Sequence, residues 1–142
     1  MPAIKIRTAD KIFSLCVRER AGWKCERCGA QHQEKSMGLH CSHFHGRGKW
    51  GVRFDPDNTE ARCYGCHQFM GANPSEHARR KEEKLGRQLF EILLEKANDT
   101  KLGRIAKRSE KQIRAHYRGE LARMKQERDA GQTEYLLLEN WI

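Results

Sequence analysis

Apolar residues recur at helical spacing early in the chain, where Ile12, Phe13, Cys16 and Val17 fall on one stripe. Thr8 is placed to cap that segment and Asp10 lies in its first turn. The pattern predicts a helix over about residues 9–20, closed near Gly22. It then breaks, from Trp23 to Gln33, into a turn holding Cys25, Cys28 and Gly29. Residues 37–45 read as a short strand, and Val52-Arg53-Phe54 as the start of a second one. Gly46, Gly48 and Gly51 make the stretch between them a loop, and Asp55-Pro56-Asp57-Asn58 is a strong turn signal. A further helix is expected to start near Cys63–His67. After Asn73-Pro74, with Ser75 as a cap, Leu85, Leu89, Ile92 and Leu93 line one helix over 76–97. Asn98 to Gly103 reads as a break. Ser109 opens a last helix to about Arg128, with Ile113, Tyr117, Leu121 and Met124 on one face. Such stripes are core faces before they are anything else. The end of the chain, from Gln132 to Ile142, reads as a strand, a docking segment or a loose end. The fold class is therefore α+β.

Composition narrows the partners. The 142 residues carry 28 Lys plus Arg against 19 Asp plus Glu, a net charge of +9. The excess is +5 over residues 1–74 and +7 over 75–128, whereas the last fourteen residues carry −3. A basic body of this kind suits a polyanion, since each neutralised phosphate releases counterions. No apolar run approaches the roughly 18 residues that a membrane span needs, and Met1 to Ile6 lack the apolar stretch of a secretory leader. The expected setting is cytoplasmic, with no membrane partner.

Four of the six cysteines form two Cys-x-x-Cys pairs, Cys25/Cys28 and Cys63/Cys66. One such turn points two thiolates at one ion, and two turns complete a tetrahedral zinc site. Four thiolates leave no open position, so this zinc is expected to be structural. The 34 residues between Cys28 and Cys63 are enough to hold something else. Cys16 and Cys41 are read as core thiols.

That insert contains His32, His40, His43, His45 and Asn58, and His67 follows directly after Cys66. Hydrolysis of a phosphodiester needs a base near neutrality to activate water, a divalent ion to stabilise the growing charge, and a rigid frame. Neutral imidazoles can act as base and as metal ligands.

Leu39-His40-Cys41-Ser42-His43, then Asn58, then Cys63-x-x-Cys66-His67 resembles the signature of HNH endonucleases with their flanking zinc knuckles. Within that class the chain is similar to the phage NinG/Rap recombination nucleases, from Cys25 to the end of the last long helix. The similarity includes His43-Phe44, Val52-Arg53-Phe54, Gly71-x-Asn73 and Leu85-Gly86. It implies a small zinc-stapled ββα-metal core over residues 1–74, a basic helical extension over 75–130 and a tail over 131–142. It implies cleavage of branched DNA during recombination, in the host cytoplasm for a phage protein. His43 then matches the general base, Asn58 the residue that fixes its loop, and His67 a ligand of the catalytic metal. The residue before the base is usually an Asp or His ligand, and here it is Ser42. His40 stands where the NinG/Rap pattern has an acid, so His40 and His67 are expected to hold the ion, with His45 in reserve. Mg²⁺ or Mn²⁺ is expected there, with Ni²⁺, Co²⁺ or Zn²⁺ also suited to imidazole.

Arg47, Lys49 and Arg53 follow the base and are candidates to bind the scissile phosphate, Arg53 foremost. Trp50 on the same loop is a candidate wedge against a base. Arg79 and Arg80 in one helix and Arg114 and Arg118 in the last are candidate DNA contacts. Arg104, Lys107, Lys111, Arg114 and Arg118 recur at three- and four-residue steps, which would make one ridge. Paired cuts at a junction would need two sites, hence an expected homodimer. Against the nuclease stand a non-catalytic zinc-finger DNA-binding protein and a zinc-scaffolded interaction module.

Overall fold

The computed structural model describes residues 3–142, so Met1 and Pro2, the start of the stretch read as lacking a leader, lie outside the described residues. Helix α1 runs Thr8–Arg20. Arg7, not Thr8, is its N-cap, because the Asp10 carboxylate reaches back to the Arg7 N–H at 2.8 Å. The chain leaves α1 through Gly22 and Trp23, both at positive φ, which turns it into the first cysteine pair.

Strand β1, Leu39–His43, pairs antiparallel with β2, Thr59–Cys63, so that Leu39 faces Cys63 and His43 faces Thr59. The second strand is thus not Val52-Arg53-Phe54, which lies in a turn. The reason is chemical: β2 alternates Thr59, Ala61 and Cys63 on the α1 side with Glu60 and Arg62 on the other, and those two charges hide its strand pattern. Helix α2, Tyr64–Ala72, begins at the end of β2 and packs on both strands.

The stripe expected to make one helix over 76–97 is divided. Helix α3, Pro74–Leu85, starts with Asn73 as N-cap and Pro74 in its first turn, and α4, Arg87–Asn98, follows. Gly86 between them has φ 82°, a conformation that favours glycine. The expected break at 98–103 is mostly helix, α5, Thr100–Arg108, capped by Asp99 through the Leu102 N–H at 3.0 Å. Helix α6 then spans Glu110–Asp129.

The main core joins both halves of the chain. Phe13, Cys16 and Val17 of α1 meet Cys41, Phe54, Ala106, Ile113, Tyr117 and Met124, and the tail adds Leu136 and Leu138. The division at 74/75 therefore does not separate two cores. The tail is a docked segment without a strand, fixed by the Leu136 N–H on the Arg20 carbonyl at 3.1 Å and the Glu139 N–H on Glu120 at 2.8 Å. Among the described residues no helix is long and apolar enough to cross a membrane.

Candidate functional site

The four cysteines converge. The sulfurs of Cys25, Cys28, Cys63 and Cys66 all lie within 4.8 Å of one another, and those of Cys28 and Cys63 are 3.8 Å apart. Four sulfurs at about 2.3 Å around one tetrahedral ion sit roughly 3.8 Å from each other, so the set fits a structural zinc. Burial opposes ionisation of Cys25, yet N–H donors of Cys28, Cys63 and Arg27 outweigh it and bring the thiol down to about 6. Glu26, inside the first pair, ties this knuckle to β2: its N–H donates to the Ala61 carbonyl at 2.7 Å, and its carboxylate accepts from the Ala61 N–H at 2.7 Å. Cys16 and Cys41 are buried outside the cluster, and desolvation pushes both thiols up to about 12.

The histidines gather along the free edge of β1. His43 points to the α1 side, with its ring 6.3 Å from that of Phe13. Its Nε2 lies 3.1 Å from the Arg53 carbonyl, which can only accept, so Nε2 carries the proton and Nδ1 carries the lone pair. Nδ1 is buried and has no hydrogen-bond partner among the described residues. Burial, then the Arg47 cation, pushes His43 down to about 4, so the ring is neutral at pH 7.

Asn58, fully buried, clamps the chain just beyond His43. Its Oδ1 accepts from the His45 N–H at 2.8 Å, and its Nδ2 donates to the carbonyls of His45 at 2.9 Å and Val52 at 3.1 Å. The Phe44 N–H adds a bond to the Asn58 carbonyl at 2.8 Å. His45 therefore sits in a fixed loop past the strand, and its Nε2 is also buried without a partner among the described residues.

His67, on α2, meets the other face of β1. Its Nδ1 lies 3.1 Å from Ser42 Oγ, and the same Oγ accepts from Arg62 Nη1 at 3.1 Å. With the Nδ1 proton donated to Ser42, the Nε2 lone pair is left for a ligand. Burial, then His40 and Arg62, lowers His67 from its ordinary value. The His40 ring stacks on His67 at 5.3 Å between centroids, with 17° between the planes. Imidazole lone pairs lie in the ring plane, so two nearly parallel rings do not aim at one point. His40 and His67 adjoin but do not form a ready-made metal site, and among the described residues the four cysteines are the one group of three or more ligands that converges.

Sequence reasoning missed what stands behind Ser42. Arg62, fully buried, also donates to His77 Nε2 at 2.9 Å and to Glu60 at 2.7 Å. Burial opposes the Glu60 charge, but Lys81, Lys84, Arg62 and Arg80 together hold its carboxyl far below the usual range. The signal was present as charged residues at alternating positions of a strand, facing Ser42 and His40.

Several cations read as phosphate or DNA contacts are committed elsewhere. The Arg53 guanidinium is buried and doubly bonded to Asp10, at 2.9 and 2.6 Å, and donates to the Lys5 carbonyl at 2.8 Å. What Arg53 offers His43 is its backbone carbonyl. Arg80 bonds Glu60 at 3.2 Å and the Glu26 carbonyl at 2.6 Å, and Arg79 pairs with Glu76 and Glu83. Trp50 is half-buried against the main core, with Arg53 over its ring at 4.3 Å, so it is not free to wedge. Arg47 and the exposed Lys49 do flank the histidines; Arg47, 3.7 Å from the Asp10 carboxylate, shares one cleft with His40, His43 and His67. Among the described residues no carboxylate lies within 4.0 Å of Arg104, Lys107, Lys111, Arg114 or Arg118.

A family model described as Bacteriophage Lambda NinG protein matches residues 5–127. Comparisons with curated proteins and with solved structures return no match.

Proposed function

We propose, from the premise that this chain belongs to the NinG family of phage lambda, that it is a metal-dependent DNA endonuclease of HNH type acting on branched DNA. The observation that carries the reading is His43: a neutral ring with Nε2 held by the Arg53 carbonyl and a buried lone pair on Nδ1 that no described protein group uses. Such an atom is costly to bury, and its lone pair is open to a proton from a water that reaches it. Asn58 holds the chain that follows the base, and Arg47 stands beside it to meet a phosphate. His67 and, with its ring turned out of the stack, His40 would hold the divalent ion, Mg²⁺ or Mn²⁺ in first place, with water completing the shell. That ion would neutralise charge growing on the phosphate and the leaving oxygen. The α5–α6 cations Arg104, Lys107, Lys111, Arg114 and Arg118 are offered to a DNA arm, and a homodimer would supply the second site for paired cuts.

The test is cleavage of a labelled four-way junction and a matched linear duplex by the zinc-loaded chain. Mg²⁺, Mn²⁺ and no added ion are compared, with His43→Ala alongside. Metal-dependent nicking is expected, reduced by about 10²–10⁴ in His43→Ala while zinc content and DNA binding stay. A folded, zinc-loaded chain that binds DNA and cuts neither substrate with either ion sinks the nuclease reading.

A further inference from the structure

The cleft beside His43 is not basic throughout. It is an open cleft of about 590 Å³, whose polar lining is Ser14, Arg18, His40, His43, Arg47 and His67. The same cleft is also lined by Ile4, Ile6 and Met37, which are 48%, 47% and 92% exposed. Large aliphatic side chains this exposed normally avoid a polyanion's surface. They belong to none of the three buried clusters, so packing does not require them there. The segment that carries the isoleucines is nonetheless fixed. Arg53 holds the Lys5 carbonyl at 2.8 Å, and the Ile4 side chain reaches the Gly48 position on the loop after the base.

A continuous duplex offers such a rim little, because its outer surface is phosphate and sugar and its bases are stacked away. An unstacked nucleotide offers an apolar base face joined to a phosphate. The cleft presents both kinds of partner side by side: aliphatic side chains, and a cation with imidazoles. Its volume also lies within the roughly 300–1,000 Å³ of clefts that take small ligands.

We propose that Ile4, Ile6 and Met37 hold the base of an unstacked nucleotide while its phosphate lies between Arg47 and His43. The cleft thereby selects DNA with an unpaired or splayed base at the site. This deepens the nuclease reading and rests on it for rate, though not for binding.

The experiment measures binding by the full, zinc-loaded chain with no added divalent ion. One duplex carries a single bulged 2-aminopurine, whose fluorescence reports the stacking of that base, and the other is fully matched. Wild type is expected to bind the bulged duplex about tenfold tighter, the scale of burying one base face against aliphatic side chains, with a change in 2-aminopurine emission. The combined variant Ile4→Ser, Ile6→Ser, Met37→Ser is expected to bind the two duplexes within about twofold of each other, its matched-duplex affinity unchanged. Circular dichroism and zinc content check its fold. The proposal falls if wild type shows no preference, if the variant keeps the preference, or if the variant weakens both duplexes equally. A preference without cutting under any metal removes the nuclease reading and leaves this one. Cutting without a preference does the reverse.

Discussion

At the Leu39–Cys63 end of the β1–β2 pair, four sulfurs close on one point. At the His43–Thr59 end, His43 Nδ1 and the nearby His45 Nε2 are buried with no partner among the described residues. The two ends share one short frame and differ in whether their donor atoms are satisfied. A closed set of ligands lowers the free energy of the fold when the ion binds. An orphaned buried nitrogen costs on the order of 1–3 kcal/mol, and it persists only where neighbours over-determine it, as Asn58 and the Arg53 carbonyl do here. The closed end holds the unsatisfied end in register.

The largest effect should come from opening the closed end. Cys63→Ser, or zinc removal by a chelator, takes away a contribution on the order of 10 kcal/mol, comparable to the whole stability of a small domain. Loss of the cooperative thermal transition is expected, read by circular dichroism against zinc content. A Cys63→Ser chain that melts like wild type would break the comparison.

The open end should show itself in pH dependence. His43 titrates near 6.5 in the unfolded chain and at about 4 in the folded one. Between those values the unfolded state binds more protons, so stability is complete above pH 6.5 and is lost as pH falls toward 4. The loss from this group is on the order of 3 kcal/mol. Urea titrations of wild type and His43→Gln across that window isolate it from the acid lability of the thiolates. Parallel curves for the two chains would show that His43 is not buried neutral.

Ser42 sharpens the contrast, because it is where the sequence departs from the usual ligand and where the structure supplies a bridge. Ser42→Ala leaves the four cysteines intact and frees His67 Nδ1 from the Arg62-held hydroxyl. On the nuclease reading proposed above, cleavage is expected to fall by about 10- to 100-fold, the scale for groups that orient a metal ligand, with zinc content and melting little changed. Ser42→Thr, which keeps the hydroxyl, should recover most of the rate if it packs.

What was legible in the sequence follows the range of the forces involved. The cysteine set, α1 and α6 rest on local spacing and could be read directly. Gly86 was hidden because the apolar stripe runs on through it. β2 was hidden because Glu60 and Arg62 point into a buried polar face whose partners, His77 and Lys81, come from α3. Arg53 was misread for the same reason, its carboxylate partner lying 43 positions away on α1. Charge at one position does not reveal whether a partner across the fold has already neutralised it.

The two groups of basic residues on the helices repeat the contrast in cations. On α3, Arg79, Arg80, Lys81 and Lys84 are paired with Glu76, Glu83, Glu60 and Glu26. On α5 and the first half of α6, Arg104, Lys107, Lys111, Arg114 and Arg118 have no carboxylate within 4.0 Å among the described residues. Composition makes the two segments look alike, but only free cations release counterions on meeting DNA. Arg114→Ala with Arg118→Ala should flatten the plot of log affinity against log salt by about 0.9 for each phosphate that is no longer neutralised. Arg79→Ala should leave that slope within error and barely change stability, as for an exposed pair. Equal slopes in both variants would mean that DNA does not distinguish the paired helix from the unpaired one. The polyanion path would then have to be sought elsewhere than along α5–α6.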